Sequence, residues 1–297
     1  MPPPLKGNPV ADKDLARALL EEQFPDWAHL PLRLLTPGGS DHVIHRLGDD
    51  MALRLPRGDW AAGQAAKEHR WLPRIAPHLP LAVPTPLALG RPGQGYPYHW
   101  SVARWLDGHT PTPGGQHPST PQKLADFLLA LQALPPADEP LPGPSLPSYD
   151  PDTRAAIAAT AHTFDAAAMT ALWDAALRAP HDPAAPLWLH GDFHTGNLLA
   201  DDHGRLTAVI DFGGLGIGDP AVDLMVAYTL LGPASRAAFR EALAPDEATW
   251  LRGMGWALAT GLNAYTAYAA THPHVAAQTS RQITQALAEF SELPRVR

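Results

Sequence analysis

The sequence predicts an α+β protein of two lobes. Residues 1–106 should form an antiparallel β-sheet with one inserted helix, and residues 107–297 a mainly helical lobe. Three observations carry that expectation. Strand-length apolar runs separated by glycine-containing turns fill the first hundred residues. Beyond about residue 120 the apolar residues recur at helical spacing. One polar stretch, HGDFHTGN at 190–197, interrupts that helical text.

Asp12 is an N-cap residue ahead of Leu15, Leu19 and Leu20, so a helix is predicted over about 13–24. The runs LPLRLL, HVIHRL and MALRLP follow, divided by Thr36-Pro37-Gly38-Gly39 and by Gly48-Asp49-Asp50, and read as an antiparallel meander. A helix over about 59–75 is inserted next. LAVPTPLALG and YHWSVARWL add two strands, making about five before residue 107. Proline and glycine are too dense at 111–121 and 135–151 for continuous helix or sheet, so these segments are loops or stiff connectors. Between them PQKLADFLLALQAL is an amphipathic helix, and DTRAAIAATAHTFDAAAMTALWDAAL supplies one or two more. Trp250, Met254, Leu258, Leu262 and Tyr265 share one helical face, a stripe that reads first as core and second as a substrate wall.

Composition narrows the chemistry. With no cysteine, disulfides, thiolate metal sites and a thiol nucleophile are all excluded. A formal charge of -8 disfavours a nucleic-acid partner. MPPPLKGNPVADKD lacks the apolar segment of a leader, and no run approaches the ~18 apolar residues of a membrane span. The expectation is therefore a cytoplasmic protein without a membrane partner.

Within LWLHGDFHTGNLLADDHGRLTAVID, the runs NLLA and LTAVI flank the polar turn Asp201-Asp202-His203-Gly204-Arg205, a hairpin signal. Antiparallel pairing brings Asn197 and Asp211 to neighbouring strand ends. Their oxygens form an incomplete hard-ligand set of the kind Mg2+ accepts, since that ion keeps waters and substrate phosphates as its other ligands. Asp192 lies on the adjoining loop. An Asp, an Asn five positions on, and a strand ending in Asp-Phe-Gly form the constellation used for phosphoryl transfer.

At this point the chain resembles a known family. HGDFHTGN, IDFG and GDPAVDL look like the catalytic loop and metal-binding segment of the aminoglycoside phosphotransferase family, small-molecule kinases with a protein-kinase-like fold. GGSDHVIHRLGDDMALRLPR, KEHRWLPRIAP and YHWSVARWLDG resemble its nucleotide loop, third strand, lobe helix and hinge, so the likeness spans about 35–225. The resemblance implies ATP or GTP with Mg2+ as cofactors. Gly38, Gly39 and Ser40 would approach the phosphates, and Arg54, held by Glu68, would stand where the family usually carries lysine. The four lysines, Lys6, Lys13, Lys67 and Lys123, offer no better strand candidate, although Lys67 is a rival cation. Ala103, Arg104, Trp105 and Leu106 would form the adenine-facing hinge beside Val102. Asp192 would deprotonate the acceptor hydroxyl, His190 would prop the loop, and Asn197 and Asp211 would hold the metal. Asp219 or Asp223 would brace the loop or cap the helix starting near Pro220.

Other readings compete. His190, Asp192 and His194 alternate, as ligands of a transition-metal hydrolase would on an extended strand. Arg54 motivates a nucleotide-binding module without turnover. Gly38 and Gly39 suit an ordinary hairpin, and Arg54 with Glu68 suits a surface ion pair. The expected acceptor is a small hydroxylated molecule, because only seven residues separate Phe212 from Pro220, too few for a peptide platform. An aminoglycoside antibiotic would use clustered carboxylates, drawn from Asp107, Glu241, Asp246, Glu247, Glu289 and Glu292. A macrolide or another bulky alcohol would use Trp250, Trp256, Tyr265 and Tyr268, and choline-like or sugar-like metabolites complete the set.

Overall fold

The computed structural model describes residues 12–36, 38–182 and 186–293. Pro37, part of the predicted first turn, lies outside the described residues, as does the N-terminal stretch before Asp12. The chain divides into two compact units, Met1–Asp107 with Ala208–Gly213, and Gly108–Thr207 with Gly214–Arg297.

In the first unit, α1 (Lys13–Gln23) is capped by the Asp12 carboxylate, which accepts from the Asp14 and Leu15 amides at 3.1 and 2.9 Å. A single turn, α2 (Pro25–Ala28), follows. Five strands, β1 (Leu32–Leu34), β2 (His42–Leu47), β3 (Met51–Pro56), β4 (Pro86–Gly90) and β5 (Trp100–Arg104), make one antiparallel sheet in the order β1-β2-β3-β5-β4. Leu19, Leu20, Leu47, Leu53, Leu55, Trp100 and Val102 form its buried core.

Two predicted elements come out shorter. The helix expected over 59–75 is a 3₁₀ turn at Asp59–Ala61 followed by α3 (Gln64–Ile75), because Gly63 takes φ +86°, which no helix can include. The strand expected from Leu81 starts at Pro86, since Pro84 and Pro86 cannot donate to a ladder. Residue 82 makes only a parallel bridge to Ala208, with the Val209 amide on the Ala82 carbonyl at 2.9 Å.

The second unit is mainly helical. It contains α4 (Thr120–Gln132), α5 (Asp150–Thr160) and α6 (Ala166–Arg178), so the alanine-rich stretch is two helices, divided where Asp165 caps α6. Two small sheets follow. β6 (Leu187–Leu189) pairs antiparallel with β9 (Gly216–Gly218), and β7 (Leu198–Ala200) pairs with β8 (Leu206–Val209) as the predicted hairpin. The Asp201 carboxylate closes the hairpin turn by accepting from the His203 and Arg205 amides at 2.9 Å each. The chain ends through α7 (Val226–Thr229), α8 (Pro233–Leu243), α9 (Glu247–Tyr268) and α10 (Pro273–Glu292). Trp250, Met254, Leu258 and Leu262 of α9 are buried, so that stripe is core. Among the described residues no helix is long and apolar enough to cross a membrane.

Candidate active site

The polar stretch begins where β6 ends. Its first residue, His190, is fully buried, and the loop turns at Gly191 with φ +83°. A Cβ there would lie 2.1 Å from the Gly214 carbonyl oxygen, so backbone passes against backbone. The two oxygens of Asp223 accept from the His190 and Gly191 amides, each at 2.8 Å. The His190 ring nitrogen Nδ1 in turn accepts from the Asp192 amide at 3.3 Å. Beneath the loop, Phe193 stacks on Phe127 with ring centroids 5.4 Å apart. The loop is thus fixed from inside the unit before any ligand arrives.

Asp219 and Asp223 divide the tasks that the sequence left open between them. Asp223 braces the loop, while Asp219 caps the 3₁₀ segment Pro220–Met225 through the Ala221 amide at 3.1 Å and pairs with Arg252 Nε at 2.6 Å. Burial pushes the Asp223 carboxyl up to about 7 against the pull of its two amides, and the nearby Asp192 charge adds to the rise.

Asp192 faces outward, its side chain 53% exposed. The Asn197 amide nitrogen donates to the Asp192 carbonyl at 2.9 Å and to its carboxylate at 3.1 Å, which leaves Asn197 Oδ1 turned to other use. His194 caps the turn Thr195–Asn197 through Gly196 and places Nε2 3.5 Å from the Asp192 carboxylate. Desolvation opposes ionisation of Asp192, but His194, His190 and the Asn197 amide outweigh it and hold the carboxyl below its ordinary range. Tyr149, a residue the sequence did not single out, feels the same charge. Burial, then Asp192 and Asp152, push its phenol up, and its ring meets Trp256 edge-on at 4.9 Å.

The remaining candidates lie in the first unit. Arg54 sits on β3, buried, with Nη1 paired to Glu68 of α3 and Nη2 donating to Asp211 at 3.0 Å. The Arg54–Glu68 pair is thus buried, not a surface ion pair, and Asp211 joins it from a half-buried position. Asp211 has φ +63°, a left-handed backbone that a non-glycine residue holds only under constraint. His42 is buried beside the network. Burial first, then the charges of Arg54 and Arg57, lower it to about 3 despite Asp211, so it stays neutral at ordinary pH.

The segment Gly38-Gly39-Ser40 joins β1 to β2 and is tied down from β3. Arg57 Nε donates to the Gly39 carbonyl at 3.1 Å, and the Arg57 amide donates to the Asp41 carbonyl at 2.7 Å. Gln64 donates to the Asp41 carboxylate at 2.8 Å. Neither Arg57 nor Gln64 was singled out in the sequence. The signal for Arg57 lay in the register, since His42 opposite Pro56 carries residue 57 to residue 41, and Gln64 had none.

In the hinge, Ala103 and Arg104 end β5, and Trp105 and Leu106 follow it. The Arg104 amide is spent on the Thr85 carbonyl at 2.8 Å and the Trp105 amide on the Asp50 carbonyl at 2.7 Å. The Trp105 ring is held by Arg46, 4.2 Å above it, and donates to Asp107 at 2.9 Å.

The site residues therefore fall into two groups, each internally bonded. Arg54, Glu68 and Asp211 belong to the first unit, and His190, Asp192, Asn197 and Asp223 to the second. His190, Asp192 and His194 do not gather as hydrolase ligands would, since both rings accept hydrogen bonds from loop amides. No cluster of three or more His, Asp or Glu fit to hold a metal occurs among the described residues.

The sequence model of the phosphotransferase enzyme family matches residues 31–257. No curated protein sequence matches the chain. Among solved structures, the GDP and kanamycin complex of APH(2")-IIia is similar over 93% of this chain and 99% of that one, at 17% identity and a TM-score of 0.67. The streptomycin-ATP ternary complex of APH(2")-IIa is similar over 93% and 97%, at 14% identity and a TM-score of 0.59. The macrolide 2'-phosphotransferase MphH apoenzyme from Brachybacterium faecium is similar over 96% and 99%, at 23% identity and a TM-score of 0.57. These likenesses show a shared fold.

Proposed function

We propose, for a chain that belongs to the phosphotransferase enzyme family, that it transfers the terminal phosphoryl group of ATP or GTP to a hydroxyl of a small molecule. The observation that carries the reading is the bonded pair Asp192–Asn197 on a loop braced by Asp223. An ionised carboxylate, half open to solvent and fixed in direction by an amide, is equipped to accept the proton of an incoming hydroxyl.

The step balances simply. Asp192 accepts the proton as the acceptor oxygen bonds to the terminal phosphorus. The bond from that phosphorus to the bridging oxygen breaks, and the nucleoside diphosphate departs with the electron pair. Asn197 Oδ1 and the Asp211 carboxylate are the oxygens assigned to Mg2+, which supplies charge neutralisation to the phosphates when bound. His190 acts through Asp192 as a positioning residue. Arg54 stands on the phosphate side with its charge shared between Glu68 and Asp211, and Gly38, Gly39 and Ser40 let backbone approach the phosphates. With the Arg104 and Trp105 amides committed, Ala103 and Leu106 are the hinge residues left to meet the nucleobase edge.

For the acceptor, the solved relatives bound to kanamycin and to streptomycin support an aminoglycoside. A specific observation favours a second reading, a bulky alcohol with an apolar face. Four of the six carboxylates that a polycation would use are occupied. Asp107 holds Trp105, Asp246 caps α9, Glu247 pairs with Arg240, and Glu289 holds Arg236 and Trp250. Tyr149 and the edge-on pair Phe164–Tyr265 keep partly exposed aromatic surface in the second unit, whereas Trp256, one of the aromatics expected to serve such an acceptor, is buried.

Nucleoside diphosphate release should be measured with Mg2+ and ATP or GTP across aminoglycosides, macrolides and metabolite alcohols. Turnover with one acceptor class, abolished in Asp192→Ala while nucleotide binding persists, is the expected result. Unchanged turnover in that variant would overturn the assignment.

A further inference from the structure

The geometry points to Arg57 as a second cation for the nucleotide phosphates, an inference that rests on the phosphotransferase reading above. The need for it arises at Arg54. Both terminal nitrogens of that guanidinium are engaged by carboxylates, Glu68 and Asp211, and its side chain is only 10% exposed. The trio carries one formal negative charge in excess, and the adjoining His42 is neutral at ordinary pH. A strongly anionic phosphate chain therefore meets little uncompensated positive charge in this cluster.

Arg57 supplies it. Three residues beyond Arg54, just past the end of β3, its guanidinium lies against the Gly38-Gly39 turn. Its Nη2 is 3.3 Å from where a Gly38 Cβ would stand, and its Nε is fixed by the Gly39 carbonyl at 3.1 Å. Among the described residues no carboxylate pairs with it and neither terminal nitrogen makes a hydrogen bond, the guanidinium's bond being through Nε. Its backbone is held as well, through the Asp41 carbonyl. One nitrogen thus anchors the side chain to the turn, and the other two are presented with their charge unspent. That arrangement suits paired donation to phosphate oxygens, for which the planar guanidinium is the matched group. A Cβ at position 38 would require Nη2 to give by a few tenths of an ångström, so the turn and the guanidinium are in close contact.

Binding of Mg2+-ATP, Mg2+-GTP and the bare nucleosides should be measured by calorimetry on the full chain, wild type, Arg57→Gln and Arg57→Ala, with melting temperatures recorded alongside. Glutamine keeps a donor for the Gly39 carbonyl but has no charge. The expected result is a loss of about tenfold to a hundredfold in triphosphate affinity in both variants, a weaker dependence of that affinity on salt, and unchanged nucleoside affinity. Equal losses for triphosphate and nucleoside would assign Arg57 to loop folding alone and overturn the proposal. So would unchanged triphosphate affinity. Failure of the wild-type chain to bind any nucleotide would instead overturn the phosphotransferase reading, and Arg57's role with it.

Discussion

Gly191 shows how narrowly single positions of the loop are determined. Its φ of +83° favours glycine, and the Gly214 carbonyl 2.1 Å from an added Cβ forbids anything larger. Gly191→Ala should displace the amide that Asp223 holds. The expected outcome is destabilisation of about 1–3 kcal/mol in urea unfolding, with turnover lost. Asp223→Asn is subtler, because it keeps the shape but offers one acceptor oxygen to two amides and turns an NH2 toward the other. A cost of about 1–3 kcal/mol is expected, and retention of wild-type stability would show that the loop does not depend on this brace. At this scale the sequence supplied Asp192, Asn197 and Asp211 as candidates, because the chemistry assigned to them rests on residue type and local spacing. It left open whether Asp219 or Asp223 braced the loop, since both fall where a helix-capping carboxylate is equally at home. Arg57, Gln64 and Tyr149 could not be read this way. Their roles depend on contacts 18, 23 and 43 or more positions away in sequence, which no local pattern encodes.

Among the elements, α9 is where local propensity and packing disagree. Gly253 and Gly255 lie in its interior, where glycine costs about 1 kcal/mol relative to alanine. Yet a Cβ at Gly253 would stand 2.6 Å from Leu224 Cβ, and one at Gly255 would stand 2.5 Å from Ala176 Cβ. The glycines let α9 approach the segment after Asp219 and the α6 helix. Gly255→Ala should therefore destabilise the protein by about 1–2 kcal/mol despite its better helix propensity, because overpacking outweighs the propensity gain. A raised melting temperature would reverse that ranking. The same contest decided which elements were legible. Strongly periodic segments, such as β2, β3 and α4, were read close to their observed extents. The helix at 59–75 was read too long because one left-handed glycine, Gly63, ended its first part unannounced. The β6–β9 pair went unread, since Gly216-Ile217-Gly218 has no strand pattern and its partner lies 27 or more residues earlier.

For the whole molecule, buried titratable groups give the two units opposite responses to pH. In the first unit, His45 is fully buried with no hydrogen-bond partner for either ring nitrogen, and burial, followed by the charge of Lys13, lowers its pKa. His42 is lowered further, to about 3. The unfolded chain takes up protons near the ordinary histidine value of about 6.5 that these folded residues refuse, so their stabilisation is lost as pH falls below it. In the second unit the sign reverses. Asp223, raised to about 7, keeps a proton when folded that the unfolded carboxyl has already released. Its contribution is complete below the ordinary carboxylate value of about 4 and disappears as pH rises through about 7. Moving from pH 7.5 to pH 5 should thus weaken the first unit while strengthening the loop of the second. Hydrogen exchange resolved by segment checks this directly, with wild type compared against His45→Leu and Asp223→Asn at both pH values. Protection of β2 and β3 should fall at pH 5 in the wild type, and fall less in His45→Leu. Protection of 189–192 should rise at pH 5, and that rise should be absent in Asp223→Asn. Wild-type protection changing in the same direction in both segments would contradict the opposed signs, because no common titration satisfies a refused proton in one unit and a retained proton in the other.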